Sequence, residues 1–330
     1  MGEFSGSCGA QSRESMVLAT GREILVISTT ALSPSLGVEV TGLDSLDDER
    51  VVAQLLEALK WRGVLLVRGI HLDDEAQLAF SRKLGKVVMP APGQEIFTVS
   101  LDPAKTPSAE YLKGTFHWHI DDTTNEVPAK ATTLTARHVA MVGGGTEFAS
   151  TYAAYENLPD HEKKRYEGLR VVHSFEAAQR LVYPDPTEEQ VARWRALAPR
   201  ESSLVWERRD GRRSLVIGAT ADHIVGMRPE ESRELLDELL AWTTQERFSY
   251  SHEWAVGDLV VWDNTGMLHR HCPTTRRPSA SCAAPRSSVT NRGSEDSGRH
   301  GRKLRNRQGN RRTPAQGRPP GRGARSQPLR

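Results

Sequence analysis

Cysteine is scarce in this 330-residue chain: Cys8, Cys272 and Cys282 show neither CxxC spacing nor a paired framework. That excludes a disulfide-stapled scaffold and the common zinc-ribbon patterns, and it suits a reducing, cytoplasmic setting. Long apolar runs are also missing, so no membrane-spanning helix is expected. The opening "MGEFSGSCGAQSRESM" lacks the apolar centre of a secretory signal. Gly2 makes a loose start to a myristoylation pattern, but Gly6 stands where that pattern wants Ser or Thr, and nothing else points to a lipid anchor. Neither GxGxxG nor GxxxxGK[ST] occurs, so "GGGTEFAS" reads as a glycine turn feeding a strand and not as a phosphate cradle.

Charge of one sign is short in each half of the chain. Arg276–Arg330 carries 15 Lys and Arg against Glu295 and Asp296, whereas residues 1–275 carry 29 against 40 acids. The net charge of +2 therefore describes neither part. The tail has almost no large apolar side chain to offset its ordering entropy, which predicts a disordered basic segment over 276–330. Fifteen cations would attract phosphate in a salt-dependent way. An acidic body and a tail without aromatics for stacking argue against specific nucleic-acid binding.

Residues 1–21 read as a flexible N-terminus and 22–275 as one mixed α/β, mainly β domain. "DDERVVAQLLEALKWRG" places Val51, Val52, Leu55, Leu56 and Leu59 on one helical face, with acids at its start and Gly63 at its end. "VLLVRG" reads as a buried strand. "LDDEAQLAFSRKLG" reads as a helix with Asp74 and Gln77 spaced as a capping box and Gly85 as its stop. "EIFTVS", "ATTLTARHVA", "SLVIG" and "DLVVWDN" read as strands. Helices are expected near 187–197 and over "RPEESRELLDELLAW", where Pro229 suits the first turn and Leu235, Leu236, Leu239 and Leu240 form the stripe. Many strands with few helices between them favour a barrel or sandwich over a doubly wound sheet.

"FHWHIDDTT" packs two histidines and two aspartates into nine residues. In an extended segment His119 and Asp121 point to the same face, so one imidazole and one carboxylate reach the same ion. That pairing suits non-haem Fe(II) once a second histidine joins from elsewhere. His117 lies on that face too and offers a rival H-x-H reading for zinc or a cupin-like metal. "GDLVVWDNTGMLHRH" then delivers His269 from a distant strand, leaving coordination positions open for a bidentate co-substrate and dioxygen. His271 is an alternative ligand, read more simply as an exposed loop histidine. The Thr146 hydroxyl could donate to a carboxylate near the metal, although a lone threonine counts for little.

Together these pieces resemble the taurine/2,4-dichlorophenoxyacetate dioxygenase family of Fe(II)- and 2-oxoglutarate-dependent enzymes. The similarity runs from "LSPSLGVEVTGLD" through "GVLLVRGIHLDDEAQLAFSRKLG", "FHWHIDDT" and "GGGTEFASTYAAYENLP" to "GDLVVWDNTGMLHR", roughly 240 residues. "GGGTEFASTYAAYENL" looks more like the dichlorophenoxyacetate branch. The resemblance implies a double-stranded β-helix, or jelly roll, with flanking helices. It assigns His119, Asp121 and His269 to iron, leaves His117 outside the triad and places Thr146 on 2-oxoglutarate. It also implies O2 as co-substrate, a small, anionic organic substrate, release of succinate and CO2, and no role for a membrane; homo-oligomerisation stays open.

The pattern breaks after His269. The family places an arginine about eleven residues later for the far carboxylate of 2-oxoglutarate, and often a second four residues on for an anionic substrate; a forked donor suits each carboxylate. Here those positions hold Ala280 and Ala284, with Arg276 and Arg277 nearby, and the closing strand is absent from the pattern. Where the family continues "CPYDP", this chain reads "CPTTR". Dropping one base from CCC-TAC-GAC-CCG yields Pro-Thr-Thr-Arg, and re-reading "SASCAAPRSSVT" in the other frame permits "RVMRRTTLIGD", with arginines at both places. A frameshifted C-terminus is the expectation.

Overall fold

The computed structural model describes residues 27–272, apart from 44, 89–94, 101–103, 105–108, 110 and 141–142. The segments expected to be flexible or disordered, 1–21 and 276–330, lie outside the described residues, as do the stretch where the closing strand is expected to be absent and the arginine positions.

In chain order, β1 (Ser28–Ala31) and β2 (Val38–Thr41) lead into α1 (Glu49–Arg62), β3 (Val64–Val67) and α2 (Asp74–Leu84). A short 3-10 helix, Tyr111–Phe116, precedes His119; β4 (Ala131–Thr135), β5 (Thr146–Ser150), α3 (Thr151–Glu156) and α4 (Asp160–Tyr166) follow. Next come β6 (Arg170–His173), α5 (Phe175–Arg180), α6 (Glu188–Arg195), β7 (Arg200–Ser203), β8 (Val205–Glu207), β9 (Arg213–Leu215) and β10 (Ala221–Ile224). The last elements are α7 (Pro229–Thr243), β11 (Ser249–His252), β12 (Leu259–Asp263) and β13 (Met267–His271).

Two sheets carry the site. One has the order β1-β2-β3-β12-β4 and the other β11-β5-β13. All four residues of β3 are buried, because the strand is covered on both faces. Leu65 and Val67 pack outward with Leu259 and Val261 against Val51, Val52, Leu55, Leu59 and Phe80 of the helices. Val64 and Leu66 point inward with Val260 and Trp262 to meet Phe148 and Met267 of the second sheet and Tyr152 of α3. Period-two alternation thus divides one apolar strand between two cores. Each fully buried aliphatic side chain contributes about 1.5–3 kcal/mol. A third cluster, built on α7 with Val171, Leu215 and Ile224, backs the second sheet through Ala149 and Leu268.

Local chemistry sets the helix ends. Asp48 caps α1 by accepting from the Arg50 N–H, and Gly63 ends it at φ 72°, a left-handed turn that glycine takes without strain. The capping box expected at Asp74 and Gln77 is not formed. Asp73 caps α2 one residue earlier, freeing Gln77 to donate to the Thr133 carbonyl and accept from the Thr135 hydroxyl. The capping box lies at Thr187 and Gln190, heading α6. "EIFTVS" is not a strand: residues 95–100 carry no regular ladder, and Phe97 and Val99 are exposed. "SLVIG" pairs only as far as Leu215.

Burial holds two core histidines neutral. His173 and His252 are fully inaccessible, and burial pushes each imidazole down to about 4. The unfolded chain takes up these protons near pH 6.5 and the folded chain near 4, so stability falls as pH drops through that window. For His173 alone the loss approaches about 3 kcal/mol, at 1.36 kcal/mol per unit. Urea unfolding at pH 7 and pH 4.5 should show a shallower pH slope for His173→Gln than for the parent; equal slopes would refute this.

Candidate metal centre

His119 lies between a 3-10 turn and a chain reversal. It forms an isolated antiparallel bridge with His269, each N–H donating to the other's carbonyl at 2.9 Å. The segment is not the extended strand that H-x-D spacing predicts. Only His119 bridges, and the chain turns at Asp121, with Asp122 at φ 59° and the Asn125 N–H closing onto the Asp122 carbonyl. The turn, and not a strand pleat, swings the Asp121 carboxylate towards the imidazoles.

There Asp121 Oδ1 lies 3.7 Å from His119 Nε2 and 3.5 Å from His269 Nε2. One ligand atom from each of the three residues falls within 4.8 Å of the others. His269 sits mid-strand in β13 opposite Phe148 of β5, deep in the second sheet. Burial, with His119 and His271 alongside, holds its pKa well below the ordinary value, so its lone pair is free. His119 Nδ1 lies 2.9 Å from the His117 carbonyl, which can only accept; Nδ1 therefore carries a proton, and Nε2 is the nitrogen that faces Asp121.

The two imidazoles are fixed differently. His119 is held by that hydrogen bond, whereas His269 is held by packing against Trp262 and Phe148, at centroid distances of 4.8 and 6.2 Å. On the carboxylate, the Thr132 hydroxyl donates to Asp121 Oδ2 at 2.8 Å, and the Asn264 amide donates to Thr132 at 2.8 Å. Two imidazoles and one braced carboxylate facing a common point fit a divalent iron.

His117 is half-buried but contributes its carbonyl, not its ring, to this cluster. His271 is not an exposed loop residue. It ends β13, is half-buried, and is pushed down to about 4 by burial and by His119, with Asp121 opposing. Its Nδ1 lies 3.4 Å from Thr146 Oγ1. Thr146 is buried, pairs with His271, and lies two positions along β5 from Phe148, on the face that carries His269. Thr132 and Asn264 escape a sequence reading. Their traces are the threonine-rich "ATTLT" and the WDN turn, whose role shows only when β4 pairs with β12.

The sequence model described as "Taurine catabolism dioxygenase TauD, TfdA family" matches residues 28–280. The chain is 37% identical over 227 residues to the alpha-ketoglutarate-dependent 2,4-dichlorophenoxyacetate dioxygenase of Burkholderia sp. strain RASC, covering 63% of this chain and 76% of that protein. With the enzyme of the same description from Cupriavidus pinatubonensis, identity is 35% over 252 residues, or 71% and 87% of the two chains. The crystal structure of AAD-2 in complex with Mn(II) and N-oxalylglycine superimposes with a TM-score of 0.65 at 29% identity, over 76% of this chain and 92% of that one. Fold and site together define a 2-oxoglutarate-dependent dioxygenase, an oxidoreductase that uses Fe(II), 2-oxoglutarate and O2. The chain belongs to the TauD/TfdA family. No described helix is long and apolar enough to cross a membrane.

Proposed function

We propose that this chain hydroxylates a small anionic organic molecule of the aryloxyalkanoate class, releasing succinate and CO2. We read its two-sheet core as a jelly roll. His119, Asp121 and His269 hold the iron, and Thr146 binds a carboxylate of 2-oxoglutarate. The convergence of two imidazole Nε2 atoms on one Asp121 oxygen carries the reading. Bound Fe(II) with 2-oxoglutarate supplies the oxidising power that breaks a substrate C–H bond. The chain's own residues orient. Thr132 and Asn264 hold the carboxylate, and Trp262 and Phe148 hold the His269 ring. The Trp254 indole N–H, a donor only, donates to Thr146 Oγ1 at 3.0 Å, so the threonine proton points elsewhere, to His271 Nδ1 or to a ligand carboxylate that displaces it. The substrate class is supported by the two phenoxyacetate-acting relatives.

The far carboxylate of 2-oxoglutarate is the weak point. Ala280 and Ala284 stand where the arginines are expected, and the family match ends at residue 280. A charge-assisted bond of that kind contributes about 1.5–3 kcal/mol, roughly ten- to more than a hundredfold in affinity. The test is an anaerobic titration with Fe(II) and 2-oxoglutarate, watching the visible charge-transfer band. Succinate release is then scored on phenoxyacetates, alkyl sulfates and sulfonates. A chain with one base restored near the Pro273 codon is run beside the parent. Both should bind iron, and the restored chain should bind 2-oxoglutarate at least tenfold more tightly. Tight binding by the parent would sink the frameshift account and turn attention to Arg276 and Arg277. No band with either chain would sink the functional assignment.

A further inference from the structure

The turn that carries Asp121 is gripped from a second side, by the segment between β9 and β10. Gly218 has φ +117°, and a Cβ there would stand 2.8 Å from the Trp118 carbonyl oxygen and 3.1 Å from His119 Cα. Its backbone therefore touches the ligand-bearing chain directly, a close approach that any side chain would obstruct. The next residue, Ala219, donates its N–H to the Trp118 carbonyl at 2.7 Å. Thr220 Oγ1 then lies 2.8 Å from Thr123 Oγ1 and 2.9 Å from His173 Nδ1. The Thr220 carbonyl accepts from the Ser174 N–H at 2.8 Å, so its backbone is anchored as well.

Thr123 and His173 are buried, at 6% and 0% exposure, so water is not a ready substitute partner. A hydroxyl with one proton and two lone pairs can serve both neighbours at once. His173 Nε2 is buried without a partner among the described residues, so the Thr220 contact is the polar anchor that orients this ring. Thr123 follows Asp121 by two residues, with the left-handed Asp122 between them. A non-glycine residue there is strained and persists only when its surroundings hold it. Tying Thr123 down fixes the far side of that kink and hence the direction in which Asp121 leaves the chain.

We propose that Thr220 and His173 are positioning residues for the metal centre: through Thr123 they lock the turn that aims the Asp121 carboxylate at the two imidazoles. The carboxylate is then braced twice, by Thr132 at its oxygen and by Thr220 through its backbone. This rests on His119, Asp121 and His269 holding the metal, and the experiment separates the two ideas.

Co(II) is titrated into the full chain and followed by its visible d–d absorption and by chelator competition, with a thermal melt run on every variant. Thr220→Val should weaken Co(II) binding about 10–100-fold, the range typical of lost outer-shell support. It should also change the d–d envelope at temperatures where the protein is still folded. Thr123→Val leaves the His173–Thr220 contact intact and should give the same loss, covering the case in which Thr220→Val fails to fold. Thr220→Ser should restore parental affinity and spectrum. A role confined to packing would lower the melting temperature without moving the spectrum of the folded protein. If Thr220→Val and Thr123→Val bind Co(II) as the parent does while Asp121→Ala does not, the positioning role is wrong and the metal centre stands. If Asp121→Ala also binds as the parent does, the metal assignment falls and takes the positioning role with it.

Discussion

His119→Ala, Asp121→Ala and His269→Ala should each strip the chain of retained iron, whereas His117→Ala should leave most of it. Structural zinc sites hold about 10–16 kcal/mol across four ligands, so one ligand accounts for roughly 3 kcal/mol, on the order of a hundredfold or more in affinity. A three-ligand site has no donor to spare. His117 differs because its backbone carbonyl, not its imidazole, meets the cluster. Alanine keeps that carbonyl, so the His119 tautomer survives. Iron content after desalting, measured by a ferrous chelator, is the readout. Loss of iron in His117→Ala with retention in His119→Ala would reverse the assignment.

Phe148→Ala is the substitution with the largest expected cost to stability. Phe148 is fully buried between the sheets, 5.6 Å from the Trp262 ring and 6.2 Å from His269. Emptying such a site costs about 3–5 kcal/mol, against about 5–15 for a whole domain. The same cavity frees the His269 ring, so metal affinity falls along with stability. Phe148→Leu refills much of the volume and should cost under about 1.5 kcal/mol. Urea unfolding should place the alanine variant's midpoint far below the leucine variant's at unchanged slope. Coincident midpoints would show that this part of the core relaxes freely.

Long periodic elements were legible. α1 and α7 lie where the apolar stripes put them, with Gly63 and Pro229 at the expected ends. β12 also lies where "DLVVWDN" put a strand. Short elements were not legible: α3 and α5 have six residues each, too few for a period to show. "EIFTVS" has strand composition but forms no ladder with the described residues, and composition alone cannot supply one. In the site, the three clustered side chains were legible because two of them are neighbours in sequence. The supports were not, since Thr132 and Asn264 are separated by 132 residues and Thr123 and Thr220 by 97. His271 was misplaced because a histidine after a strand looks like the start of a loop, whereas β13 continues through it to pair with Thr146.

The backbone bridge between His119 and His269 bears on how the protein acquires its metal. Two of the three donors are spliced together by reciprocal amide hydrogen bonds, and neither can drift without breaking the other's pairing. Most of the entropy of gathering the ligands is therefore spent when the chain folds, before any ion arrives. Loading then resembles filling a preformed socket more than nucleating a fold. The apoprotein should keep its melting cooperativity, and chelation should empty the centre without collapsing the sheets around it.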